Sequence, residues 1–151
     1  VGQALGCAKK PRTEWTAYDL ITDAGLKVEV KSSAYLQSWK QKRPSVIQFG
    51  IGRKQAWDSE TNTSSAKAVR SADIYVFCVF TATDRALADP LDLDQWFFLV
   101  CPTAVLDEKC GSQKSIGLSS LEHLGLDRLS YWQLGIAISV AGANVSLSGE
   151  A

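Results

Sequence analysis

Polar and apolar positions alternate with a period of two along the first third of the chain. Tyr18, Leu20 and Ile21 mark a first strand, and Asp23, Ala24 and Gly25 supply turn chemistry. From Leu26 to about Ser33 the alternation is strict. Leu26, Val28 and Val30 take one face, and Lys27, Glu29, Lys31 and Ser33 take the other. If the strand continues, Tyr35, Gln37 and Trp39 keep the parity of the polar face. Lys40, Lys42 and Arg43 before Pro44 make a basic loop. Ser45 to Ile51 alternates again and predicts a third strand, with Ile47, Phe49 and Ile51 inward. Gly50, Gly52, Arg53 and Lys54 then suggest a turn carrying two cations.

The middle of the chain changes pattern. Asp58 to Ser65 is a polar, mobile loop and Ala66 to Ser71 a short helix. Ile74 to Phe80 is continuously apolar, as a fully buried central strand requires. Thr81 to Gln95 is an acidic loop, holding Asp84, Asp89, Asp92 and Asp94, and is expected to face away from any polyanion. Trp96 to Val100 reads as another buried strand, ended by Pro102. A short element begins at Ala104 to Leu106, Lys109 to Lys114 is a loop, and Ser119 to Leu124 suggests a helix capped by its serine. From Ser130 the chain is either a helix through about Val140 or a last strand, which periodicity does not separate. Gly142 to Ala151 is expected to fray. This order predicts one α/β domain over 1–151, a mixed central β-sheet flanked by helices.

Composition narrows the class. The chain has 151 residues, of which 46% are hydrophobic and 21% charged, the make-up of a globular protein with a full core. No apolar run is long enough to span a membrane, and no signal peptide opens the chain. Cys7, Cys78, Cys101 and Cys110 form no C-x-x-C pair, so reduced thiols and a cytoplasmic location are expected. The absence of methionine and the initial valine suggest part of a longer protein. Net charge is zero, yet residues 1–57 hold ten basic against four acidic side chains and 58–151 hold six against twelve. A phosphate-binding face needs positive charge only where it docks. Lys9, Lys10 and Arg12 are a second basic cluster, either an arm on a phosphate backbone or a solvated terminus. His123, the only histidine, lacks a partner pattern for a catalytic base.

The polar face of the second strand carries the candidate chemistry. Glu29 and Lys31, two apart, stand on one side of it, and Asp19 can approach Glu29 across the hairpin. Two carboxylates and an ammonium can bind a hard divalent cation and hold a water beside it. Asp19 followed by Glu29-Val30-Lys31 in apolar strands resembles the PD-(D/E)XK nuclease superfamily, with Tyr18 where that pattern often has proline. The resemblance implies a restriction-endonuclease-like fold and a Mg²⁺-dependent DNA nuclease, more specifically an endonuclease, with Mn²⁺ as a substitute. Asp19, Glu29 and the Val30 carbonyl would hold the metal, and Lys31 would position or activate the attacking water. Enzymes of this family that cut both strands are often dimers, so a homodimer is implied as well. Family members often carry a further acid on a helix before the first strand. Here only Val1 to Cys7 could be the tail of such a helix, and Glu14 is the sole acid before Asp19.

A lone [DE]-x-K is weak, and Asp107-Glu108-Lys109 is a second match, running into the apparent loop Cys110-Gly111-Ser112. The strand, turn and alternating strand around the first make it more specific. Gln37 is a candidate to orient a water or phosphate oxygen. Ser33, Lys40, Lys42, Arg43, Arg53 and Lys54 are candidate nucleic-acid contacts. Two alternatives stay open: a non-catalytic nucleic-acid-binding or interaction module of a larger restriction, repair or defence protein, and an α/β interaction domain whose Glu29 and Lys31 are surface ion pairs.

Overall fold

In the computed structural model, described over residues 1–7, 17–55, 57–58, 63–64 and 67–148, the run Ile74–Phe80 is buried along its whole length. The reason is its position. Four strands line up in the order β1 (Leu20–Ile21), β2 (Lys27–Ala34), β6 (Ile74–Phe80) and β7 (Trp96–Pro102). β2 runs parallel to β6, with Glu29 beside Tyr75 and Lys31 beside Phe77; the other two pairings are antiparallel. The sheet is therefore mixed, and apolar layers cover both faces of β6.

On one face, Val28, Ile74, Val76, Cys78 and Phe98 pack against Leu134 and Ile138 of α3 (Tyr131–Ser148). Residues 1–7 join that layer. They form a hydrogen-bonded turn, with the Cys7 N–H donating to the Gly2 carbonyl, the Gly6 N–H to the Gln3 carbonyl, and Gly6 at φ +68°. On the other face, Tyr75, Phe77, Val79, Leu99 and Cys101 meet Ile47, Phe49 and Ile51, together with Leu106 of α1 (Thr103–Cys110) and Leu121 of α2 (Leu118–Glu122). β3 (Gln48–Gly50) pairs with β8 (Ser115–Gly117) in a small separate ladder over this face.

Several expectations change. The parallel β2–β6 pair needs a crossover, which residues 35–73 supply, and the described part of the helix expected at 66–71, residues 67–71, is not helical. Val69 bridges Lys54 with two reciprocal 2.9 Å bonds, an extended pairing that suits a β-branched residue. The polar stretch after Trp57 begins and ends in a ladder, β4 (Trp57–Asp58) with β5 (Thr63–Ser64); its tip, like Lys9, Lys10, Arg12 and Glu14, lies outside the described residues. β2 stops at Ala34, so Gln37 and Trp39 do not continue it. Asp107-Glu108-Lys109 is helical within α1. Gly117, with no side-chain bond, precedes α2 in place of a serine cap. The tail is a helix, and it runs through Ser148 instead of fraying from Gly142. No helix among the described residues is long and apolar enough to cross a membrane.

Candidate active site

The β1–β2 register sets Leu20 opposite Val28 and ends there, with Asp19 immediately before β1. The Asp19 N–H donates to the Val28 carbonyl at 3.1 Å, and Asp19 Oδ2 accepts from the Val30 N–H at 2.9 Å. A strand residue's N–H and C=O project to the same edge, so the Val30 carbonyl is turned towards the β1 side as well.

Glu29 is only 6% exposed, and burying a carboxylate demands compensation. Two ammoniums provide it. Lys31 Nζ donates to Glu29 Oε1 at 2.5 Å, and Lys54 Nζ lies 3.6 Å from the same oxygen. The Lys54 side chain is 72% exposed and reaches in from the strand that covers this face. Tyr75 neighbours Glu29 across the ladder. Burial pushes its phenol up to about 12 and the Glu29 carboxylate adds to the push, while Arg70 opposes it.

A second cluster fixes the covering strand. Arg70, its side chain fully buried, donates Nε to the Ile51 carbonyl at 2.7 Å and Nη1 to Asp107 Oδ1 at 2.5 Å. Arg53 Nη2 meets the same Asp107 oxygen at 3.0 Å. Residues 51–54 are thus tied from both sides, which holds Lys54 over Glu29. Neither Arg70 nor Tyr75 stood out in the sequence, and Asp107 did so only within the second [DE]-x-K match. The available signal was a lone arginine leading into a buried strand, because a cation there needs a buried partner.

The remaining candidates are placed differently. Ser33 shares the face of Glu29 and Lys31, half-buried beside Val79. Lys40, Lys42 and Arg43 are exposed on the loop that leaves β2. Gln37 is turned into that loop, donating Nε2 to the Ala34 carbonyl at 3.1 Å and to Ser45 Oγ at 3.3 Å, so it braces the loop and does not point along the strand face. The acidic loop 81–95 does not face away. It leaves the same sheet end as the basic loop, and Arg85 donates to the Trp39 carbonyl. His123 caps α2 through its contact to the Ser119 carbonyl, apart from these groups.

No set of three or more His, Cys, Asp or Glu side chains grouped to hold a metal occurs among the described residues. Asp19 and Glu29 nonetheless suit a hard, strongly hydrated cation, because Mg²⁺ is commonly held by one or two carboxylates with water and substrate phosphate completing the shell. The chain matches no family model, no curated protein and no solved structure, so the reading of this site rests on its own residues.

Proposed function

We propose that this protein is a metal-dependent DNA nuclease, an endonuclease on a restriction-endonuclease-like sheet. The observation that carries the reading is the buried Glu29 with Lys31 on the same strand face, and Asp19 bonded to the N–H of Val30 between them. Asp19, Glu29 and the Val30 carbonyl would hold Mg²⁺, with Mn²⁺ as a substitute. When bound, the metal supplies Lewis acidity at the phosphate and lowers the pKa of a coordinated water. Lys31 would steady that water by donating a hydrogen bond to it. Lys54, Arg53, Lys40, Lys42 and Arg43 grip the phosphate backbone. Ser33 contributes a hydroxyl at the end of the stripe.

Cleavage of a DNA substrate in Mg²⁺ or Mn²⁺ tests this reading. Glu29→Gln, Lys31→Ala and Asp19→Asn are each expected to lower the rate by about a hundredfold or more, as the loss of a group that activates the nucleophile or stabilises developing charge does. Unchanged folding, followed by circular dichroism, separates this from collapse. Wild-type protein that leaves DNA intact in both metals would overturn it.

One observation favours a second reading. Lys31 and Lys54 already neutralise Glu29 through one oxygen, as in a site that binds without cutting. A non-catalytic nucleic-acid-binding module would bind DNA in chelator as well as in metal and cleave in neither.

A further inference from the structure

The loop between β2 and β3 presents an exposed tryptophan on a braced scaffold. Trp39 is 63% exposed, unusual for the largest apolar side chain, and Lys40, Lys42 and Arg43 follow it, all exposed. The loop is closed by the Ser45 N–H donating to the Tyr35 carbonyl at 2.8 Å. Inside it, Gln41 accepts from the Gln37 N–H at 2.7 Å and donates to Ser45 Oγ at 2.9 Å. Arg85 holds the Trp39 carbonyl from the neighbouring loop. Tyr35, by contrast, packs into the core layer. The polar side chains that shape this loop point inward, while its ring and its cations point out.

We infer that Trp39 is a stacking platform for an unpaired nucleobase, with Lys40, Lys42 and Arg43 holding the phosphates on either side, so that the substrate is single-stranded DNA or a single-stranded region of DNA. An exposed indole among cations is the surface that binds single strands without sequence preference, because every base offers a π-face. Bracing matters energetically, since a loop already ordered loses little entropy when it binds. Ala34 lies roughly 10 Å along β2 from Lys31, so a strand stacked on this loop passes the Glu29–Lys31 pair within a few nucleotides. Asp84, Asp89 and Asp92 are bonded to backbone N–H groups of their own loop. The inference rests on the nuclease reading for where the scissile phosphate lies; the stacking itself needs no cleavage.

The test is anisotropy of a labelled short oligothymidylate and of a duplex of equal length, in chelator, with wild type, Trp39→Ala and Trp39→Phe. Trp39→Ala is expected to weaken single-strand binding about 5- to 150-fold, the range for losing one stacked base, and duplex binding much less. Trp39→Phe should restore most of the loss. The salt slope should stay at its wild-type value in Trp39→Ala and fall by about 0.7 in Lys42→Ala, since only the latter removes a phosphate contact. An oligouridylate arm names the sugar: equal losses there extend the platform to RNA. Single-strand affinity within about twofold of wild type in Trp39→Ala overturns the proposal, as does an equal loss on duplex, which marks a groove wedge. Because no cleavage is measured, a stacking platform on a protein that does not cut DNA would still be detected, and failure of the platform alone leaves the outcome of the separate cleavage assay untouched.

Discussion

Glu29 is a carboxylate that cannot be left alone. Its burial is sustained by Lys31 and Lys54 on one oxygen, and the two lysines are not equivalent. Lys31 is largely covered, whereas Lys54 stands mostly in water, where an ion pair is worth well under ~1 kcal/mol. Lys54→Ala is therefore expected to leave the urea midpoint nearly unchanged, to weaken DNA binding, and to tighten metal binding modestly by removing a competitor for Glu29. A large loss of stability would show that Lys54 is structural. Arg70 is the opposite case. Its fully buried guanidinium serves both Asp107 and the Ile51 carbonyl, so Arg70→Ala should cost roughly 3 kcal/mol, towards the low end for breaking a buried pair because Asp107 keeps water and Arg53. Urea unfolding measures this. Tyr75 should ionise only at about pH 12, followed in an ultraviolet titration of the wild type against Tyr75→Phe.

At the level of elements, the sheet separates stability from chemistry. α3 packs on the face opposite Glu29, through Leu134 and Ile138. Leu134→Ala should cost about 2–5 kcal/mol in urea unfolding yet leave DNA affinity intact in the folded protein. Affinity falling in step with stability would show that the faces are coupled. The same separation explains what was legible in the sequence. β6 and β7 are continuous apolar runs, read directly as buried strands, and β2 was legible from its strict alternation, although chain covers its polar face as well at Glu29. Glu29 and Lys31 were legible because two residues along a strand share a face. The helix expected at 66–71 failed for a non-local reason, since that backbone extends to pair Val69 with Lys54 and to deliver Arg70 to Asp107. Likewise, nothing local to Gln48–Gly50 announces β8 as its partner, and nothing local to Gln37 announces Ser45.

Across the whole molecule, charge and thiols set the solution behaviour. Burial pushes both Cys78 and Cys101 up to about 12, from an ordinary value of 9.0. A thiol raised in the folded state contributes stability below its unfolded pKa and loses it as pH climbs towards the folded one. Unfolding free energy should therefore fall from about pH 9 upward, and a flat or rising profile to pH 11 would contradict their burial. The positive charge of residues 1–57 includes Lys31, Lys40, Lys42, Arg43, Arg53 and Lys54, all on or beside the covered strand face and its loop, so zero net charge does not prevent a basic docking surface.

The proposed metal site on that face depends on Asp19 and Glu29. Calorimetric titration of Mg²⁺ and Mn²⁺ into the protein bound to single-stranded DNA, with Asp19→Asn and Glu29→Gln alongside, addresses it directly. Saturable binding to the wild type is expected, tighter with DNA than without, and abolished in both variants. Absence of binding to the wild-type complex, or binding that survives both substitutions, would contradict it.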